Sequence, residues 1–330
     1  MISDRETLKQ IPKIELHAHL FGSITQDQLL DLLDKNGLKE EYEEFNQIKD
    51  NLDFDKIFAK AFTYLPKIVK TIEDLKQLTR MVLDNFIKDN VVYIELRSGP
   101  KKFENSSHKE YIEAIISVFK EYEDKIIARY IVSINRGYGI EPYKDVVSLM
   151  NEVDPQKEYI VGMDFSGDAT KNDFVMFVPL LEQARNSGFK ITVHSPEKKY
   201  KIKELSDIIN FKPDRIGHLL FFTDEQVKKI ISEEIPIEIC PTSNYVVGNK
   251  ENRHFIDLKK KGLKEITICT DDLLLFDADL SEEWEIYMTH AEINIKDVFE
   301  MIVNSIKYMF DERVKEKVEQ SVLEYISKSV

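Results

Sequence analysis

The chain has 330 residues, with 46 Lys and Arg against 60 Asp and Glu for a formal charge of −14. That length suits one large α/β barrel or two ordinary domains, and the acidic excess argues against a protein that coats nucleic acid with a basic face. Hydrophobic residues make up 42%, enough for a sizeable core and too many for a disordered chain.

In chain order, the first β-branched run is Ile14–Leu20 (IELHAHL). Thr25 and Gln28 then have the spacing of a capping box ahead of a Leu29, Leu30, Leu33 face, and Gly37 follows as a stop. Thr71 with Asp74 repeats the signal. The stretch from about 21 to 90 is longer than one helix needs, which predicts an inserted set of helices over the mouth of the fold. Val91–Ser98, Ala128–Asn135, Ile160–Gly167 and Lys190–Ser195 read as the next strands. Arg215–Leu220, Ile235–Ser243 and Ile266–Asp272 complete eight. Thr223 with Gln226 opens another helix, and Gly188 and Gly262 stand where helix ends belong, just before strands. Val314, Val318, Val322, Ile326 and Val330 recur every four residues, the face of a C-terminal helix.

Strand–helix alternation implies parallel pairing. An open sheet gathers its ligand groups at one switch point, whereas a barrel draws them from the C-terminal ends of many strands. Here metal-competent residues end strands one, four, five, six and eight, so the expected fold is a (β/α)8 TIM barrel with extra helices after strand one and at the C-terminus. No linker or low-complexity tract invites a cut, so residues 1–330 are expected to form one domain. Cys240 and Cys269 each end an apolar stretch, so no disulfide framework is expected and the reducing cytosol is the expected compartment. The polar opening MISDRETLKQ is unlike a signal peptide. The longest apolar run, Phe174–Leu181, is far short of a membrane span. Neither nucleic acid nor membrane is an expected partner.

His17 and His19 lie two apart on a strand, so both face the barrel interior. With His194 at the end of strand five and Asp271 at the end of strand eight, three nitrogens and one oxygen can meet at one mouth and leave a position for water. Glu197 lies just past His194, where a carboxylic acid could face a bound substrate. His218, Asp272 and Asp164 fall at the same end of the barrel. Each has a bland alternative: a core histidine, a helix N-terminal aspartate and a loop hydrogen-bonder.

The series IPKIELHAHLFGSI, YIELRSGPKK, GMDFSGDAT, VHSPE, DRIGH, IEICPTSN and CTDD resembles the adenosine/AMP deaminase branch of the amidohydrolases, in order and across nearly the whole chain. LRSGPKK, GMDFSGD and ICTDD look closest to the adenosine deaminase-like proteins that act on N6-methyl-AMP. The resemblance implies one zinc ion on His17, His19, His194 and Asp271. It implies Glu197 as the proton donor to purine N1, and His218 as the base that orients and deprotonates the water. Asp272 would contact N7 and the attacking oxygen, and the Gly167 N–H would reach N3. His19 and Asp272 would touch substrate as well as serving the metal and the chemistry. Deaminases of the other zinc fold need a Cys-x-x-Cys pair, and this chain has none.

The resemblance breaks at the sugar–phosphate end. Phe21 stands where adenosine deaminases carry an acid for the ribose 5′-hydroxyl and the N6-methyl-AMP enzymes carry an amide. Pro66 falls where that group has a histidine, Asn135 where it has an aspartate, and Leu273 where it has a lysine. Ser98, Gly99, Pro100 and Lys101 keep the phosphate-loop pattern, with lysine for arginine. The expected reaction is N6-methyl-AMP to IMP plus methylamine, with adenosine to inosine as the alternative. Deamination of another amino-heterocycle, or a binding protein on a retired barrel, are the rivals; retirement commonly removes a ligand or the acid, and here all are present.

Overall fold

A computed structural model describes residues 4–50, 54–248 and 253–329. After α1 (Asp4–Gln10), β1 (Lys13–His19) leads into the inserted helices α2 (Gln26–Lys35), α3 (Lys39–Asp50), α4 (Phe54–Ile68) and α5 (Ile72–Lys88). Alternation then proceeds through β2 (Val91–Ser98), α6 (His108–Glu121), β3 (Ile127–Asn135), α7 (Val146–Val153), β4 (Ile160–Ser166) and α8 (Val178–Asn186). It continues with β5 (Lys190–His194), α9 (Glu204–Phe211), β6 (Arg215–Gly217), α10 (Asp224–Ser232) and β7 (Ile237–Ile239). Two helices, α11 (Pro241–Val247) and α12 (His254–Lys260), precede β8 (Ile266–Ile268). The chain ends in α13 (Leu273–Phe276), α14 (Leu280–Ala291), α15 (Ile295–Ser305) and α16 (Lys315–Ser329).

The eight strands pair in sequence order, and every pairing is parallel. Ala18 bridges Asp271 to bring the last strand back beside the first. The fold is a (β/α)8 TIM barrel. Its strands are buried on both faces, as parallel strands wrapped by helices must be; β1 and β3 hide nearly every residue. The capping boxes at Thr25, Thr71 and Thr223 all form, satisfying backbone N–H groups that the first helical turn leaves unpaired. Val318 and Val322 of α16 are buried as its repeat predicts, with Val314 and Ile326 half-buried beside them. Val330 lies outside the described residues. Among the described residues, no helix is long and apolar enough to cross a membrane.

Several strands are shorter than their apolar runs. β6, β7 and β8 keep three residues each, where the runs suggested up to nine. Beyond β7 the run continues as α11, because Pro241 has no N–H to lose and fits a first helical turn. Beyond β6, His218 and Leu219 enter the left-handed region (φ 67° and 53°), and beyond β8 Asp271 does the same (φ 66°). Such conformations cost non-glycine residues roughly 1 kcal/mol or more and persist where the surroundings over-determine them. They mark where the chain leaves the ladder to build the barrel mouth.

Candidate active site

β1 carries His17 and His19, and β5 ends on His194. Asp271 is locked to β1 by two backbone bonds, its N–H to the His17 carbonyl (2.8 Å) and its carbonyl from the His19 N–H (3.1 Å). One ligand atom from each of His17, His19, His194 and Asp271 lies within 4.8 Å of the others. The four residues expected to meet do meet.

Their outer hydrogen bonds decide what the inner nitrogens offer. His17 Nδ1 is 2.5 Å from Glu238 Oε2, and His194 Nδ1 is 2.9 Å from Asp164 Oδ1. A carboxylate at Nδ1 keeps the ring proton there and turns a lone pair on Nε2 inward. His17 Nε2 is buried without a hydrogen-bond partner. The Nε2 atoms of His19 and His194 are 3.2 Å apart, and Asp271 Oδ1 is 3.3 Å from His19 Nε2. Lone pairs and a carboxylate packed this closely repel one another unless a cation lies among them. Three imidazoles and one carboxylate suit a divalent metal ion. A second group, His218 with Cys240 and Asp271, is equally compact, but burial pushes the Cys240 thiol well up and keeps it protonated.

The outer carboxylates are held in turn. Arg97 reaches both, with Nη1 3.3 Å from Asp164 Oδ1 and Nη2 3.2 Å from Glu238 Oε2, while Arg215 Nε donates to Glu238 Oε1 at 2.6 Å. Burial alone would raise the Glu238 carboxyl, but the Arg97 and Arg215 guanidiniums outweigh it and hold the group well below its usual range. Sequence reasoning missed Glu238. Its signal was present, since a charge in the middle of the apolar run IPIEIC has no reason to be there unless something inside the barrel pairs with it.

Around the cluster stand the groups expected to do chemistry. Asn244 on α11 accepts the Cys240 N–H at its Oδ1 (3.1 Å), so its amide nitrogen is the atom facing His218 Nδ1 at 2.8 Å. That leaves the His218 proton on Nε2, which is 4.0 Å from both Glu197 Oε1 and Asp271 Oδ2. Burial pushes this imidazole well below its ordinary value, so it is neutral. Glu197, in the loop after β5, is half-buried at the cleft wall. Burial first, and repulsion from Asp271 second, raise its carboxyl to about 7. Asp272 is raised to about 7 by the same two causes, and its Oδ1 is buried without a partner. It packs so closely on Gly22 that a Cβ there would sit 1.5 Å from Oδ1.

His19, His194, Asp271, Glu197, His218 and Asp272 line one cleft of about 1500 Å³, with the fully buried His17 not among its lining residues. Phe21, Ser98, Gly99, Pro100 and Lys101 line one side of its rim, and Asn135 with Gly167 another. Lys101 Nζ lies 3.8 Å from the centre of the Phe21 ring. The Ser98 hydroxyl is shared with Tyr111 and Tyr130, each at 3.1 Å, and so helps to brace the loop. Asn135 Oδ1 accepts the Gly137 N–H at 2.8 Å. Gly167 has φ 100°, and a Cβ on it would fall 2.3 Å from that same oxygen, so only glycine fits. Pro66 is exposed inside α4 and Leu273 opens α13; neither lines the cleft, whereas Phe62 of α4 does.

Residues 12–327 match the profile of the adenosine deaminase family. The chain belongs to that family. Among its members, an N6-mAMP deaminase of Arabidopsis thaliana is 31% identical over 95% of this chain and 96% of that protein. An adenosine deaminase of Clostridium perfringens is 29% identical, over 96% of this chain and 99% of its own length. The solved structure of Arabidopsis ADAL complexed with IMP superposes with a TM-score of 0.87 at 30% identity, covering 98% of this chain and 100% of that one. This adenosine deaminase family member therefore has a candidate divalent-metal site at the C-terminal end of its barrel.

Proposed function

We propose that the chain is a zinc-dependent purine deaminase that hydrolyses N6-methyl-AMP to IMP and methylamine. The observation that carries this reading is the convergence in one cleft of an inward-facing lone-pair cluster, an acid raised to about 7 and an unpaired ammonium at the rim. The N6-mAMP deaminase relative and the IMP-bound neighbour support the nucleotide. The reading takes residues 1–330 as one catalytic domain.

His17, His19, His194 and Asp271 would hold the zinc ion. When bound, zinc acts as a Lewis acid and lowers the pKa of a water molecule it holds to about 7. Attack at C6 pushes charge onto N1, and protonated Glu197 meets that charge by giving its proton to N1. His218, neutral with its proton on Nε2, donates a hydrogen bond to the attacking oxygen and orients it. The deprotonating half of the expected role needs the opposite tautomer, which the Asn244 amide opposes. Asp272 reaches N7 and the incoming oxygen, and the Gly167 N–H reaches N3. The C6–N6 bond then breaks. Glu197's proton ends on N1 and one water hydrogen restores the Glu197 carboxylic acid, while the other leaves on methylamine and the oxygen stays as the 6-oxo group.

At the other end, Lys101 receives the 5′-phosphate with Ser98, Gly99 and Pro100 shaping its loop, Phe21 lies beneath its ammonium at the substrate-facing rim, and Asn135 faces the sugar. Adenosine is the second reading, favoured by the clostridial relative. Incubating the metal-loaded protein with N6-methyl-AMP, AMP and adenosine while following the ultraviolet spectrum tests the assignment. Conversion of the adenine chromophore to the hypoxanthine one is expected; no change with any of the three contradicts it.

A further inference from the structure

Phe21 and Lys101 come from different strands yet meet at the rim. His19 and Arg97 are partners in the β1–β2 ladder. The chain segments just beyond them therefore leave the barrel at the same height. Phe21, in the helical turn Leu20–Gly22, is 9% exposed, and its ring face lies beneath the Lys101 ammonium at 3.8 Å from the centroid. Among the described residues, no carboxylate exerts a resolved pull on that ammonium. The chain as a whole carries a net charge of −14, so an ammonium without a carboxylate beside it stands out against its acidic surroundings. Lys102 also lines the cleft and adds a second cation, whereas burial and Lys102 itself push the His108 imidazole below its ordinary value and keep it neutral.

A lysine ammonium carries three donors on a flexible stem, and left alone it samples many positions. An aromatic face attracts it without accepting its charge, so the ring fixes the ammonium while leaving its remaining donors for another acceptor. Phenylalanine has no donor or acceptor of its own, so a free 5′-hydroxyl gains nothing from it. A phosphate monoester, in contrast, gains a pre-placed cation.

We propose that Phe21 is a specificity-determining positioning residue: its ring face seats Lys101 as the receptor for a phosphate monoester, so that the pair, rather than Lys101 alone, sets the preference for nucleotide over nucleoside. This rests on the purine-nucleotide reading of the cleft.

The test is calorimetric binding of IMP and of inosine to the metal-loaded protein, with Phe21→Leu, Phe21→Tyr, Lys101→Gln and the Phe21→Leu/Lys101→Gln double variant. Phe21→Leu is expected to weaken IMP by about 5-fold, within the range a cation–π contact spans, and to leave inosine nearly unchanged. Phe21→Tyr keeps the ring and is expected to keep the preference. In the Lys101→Gln background, Phe21→Leu should have no further effect on IMP. Fluorinated phenylalanine at position 21 keeps the shape and removes the negative ring face, so it guards against a leucine variant that fails to fold; it too should weaken IMP selectively. Equal losses for both ligands, or an undiminished Phe21→Leu effect without Lys101, would overturn the proposal. A wild-type protein that binds IMP no better than inosine overturns the nucleotide reading itself, a different result from additive variants in a protein that prefers IMP.

Discussion

At the floor of the cleft, His17, Arg97, Asp164 and Glu238 are all 0% exposed, and each polar side chain leans on the next. At the rim, Lys101 is exposed and rests on a hydrocarbon ring. The difference is one of permitted change. Removing one member of a buried charge network strands its partner, at a cost of about 3–5 kcal/mol. A rim residue can change for far less, because water replaces what is lost. A barrel of this kind can thus keep its buried floor intact while residues at the rim, such as Phe21 and Asn135, change.

That contrast can be broken first at the floor. Asp271→Ala should lose bound metal and nearly all activity; elemental analysis showing full occupancy with turnover intact would contradict the ligand assignment. Glu197→Gln keeps the shape but not the proton, so metal should stay while turnover falls by at least ~100-fold. A near wild-type rate would place N1 protonation elsewhere. The same group sets a pH limb. A carboxyl raised to about 7 is protonated below that pH and ionised above it, so kcat/KM should fall about tenfold per pH unit on the alkaline side of 7. A profile flat from pH 7 to 9 would remove Glu197 as the donor.

Smaller effects are expected one step out from the metal. Asp164→Asn loses the carboxylate that keeps the His194 proton on Nδ1, and metal affinity, read by chelator competition, should drop about 10- to 100-fold. Unchanged affinity would mean that the tautomer is fixed by other contacts. At the rim, Lys101→Ala should raise KM for a nucleotide by about 10-fold and barely move it for a nucleoside, as expected when one exposed charge-assisted contact is lost. Equal changes would remove Lys101 from phosphate recognition.

Much of this was legible in the residues. All eight strands, three capping boxes and the meeting of His17, His19, His194 and Asp271 follow from periodicity and from where polar residues interrupt apolar runs. The ends of β6, β7 and β8 were not, because an apolar run says that a segment is buried and not whether it is still in the ladder. Pro241 and the left-handed turns at His218 and Asp271 stop those strands for local reasons. Glu238 and Asn244 escaped notice because each acts through a histidine rather than on a substrate. Only coordinates reveal which charge in a barrel faces which ring. The Phe21–Lys101 contact was hidden for a similar reason, since it depends on the register between β1 and β2.

The central claim is that this cleft deaminates a purine nucleotide at C6. It is tested most directly by comparing kcat/KM for N6-methyl-AMP, AMP and adenosine with the same metal-loaded preparation. The account predicts the highest value for N6-methyl-AMP, with release of IMP and methylamine. A higher value for adenosine than for either 5′-phosphate would contradict it and make the chain an adenosine deaminase.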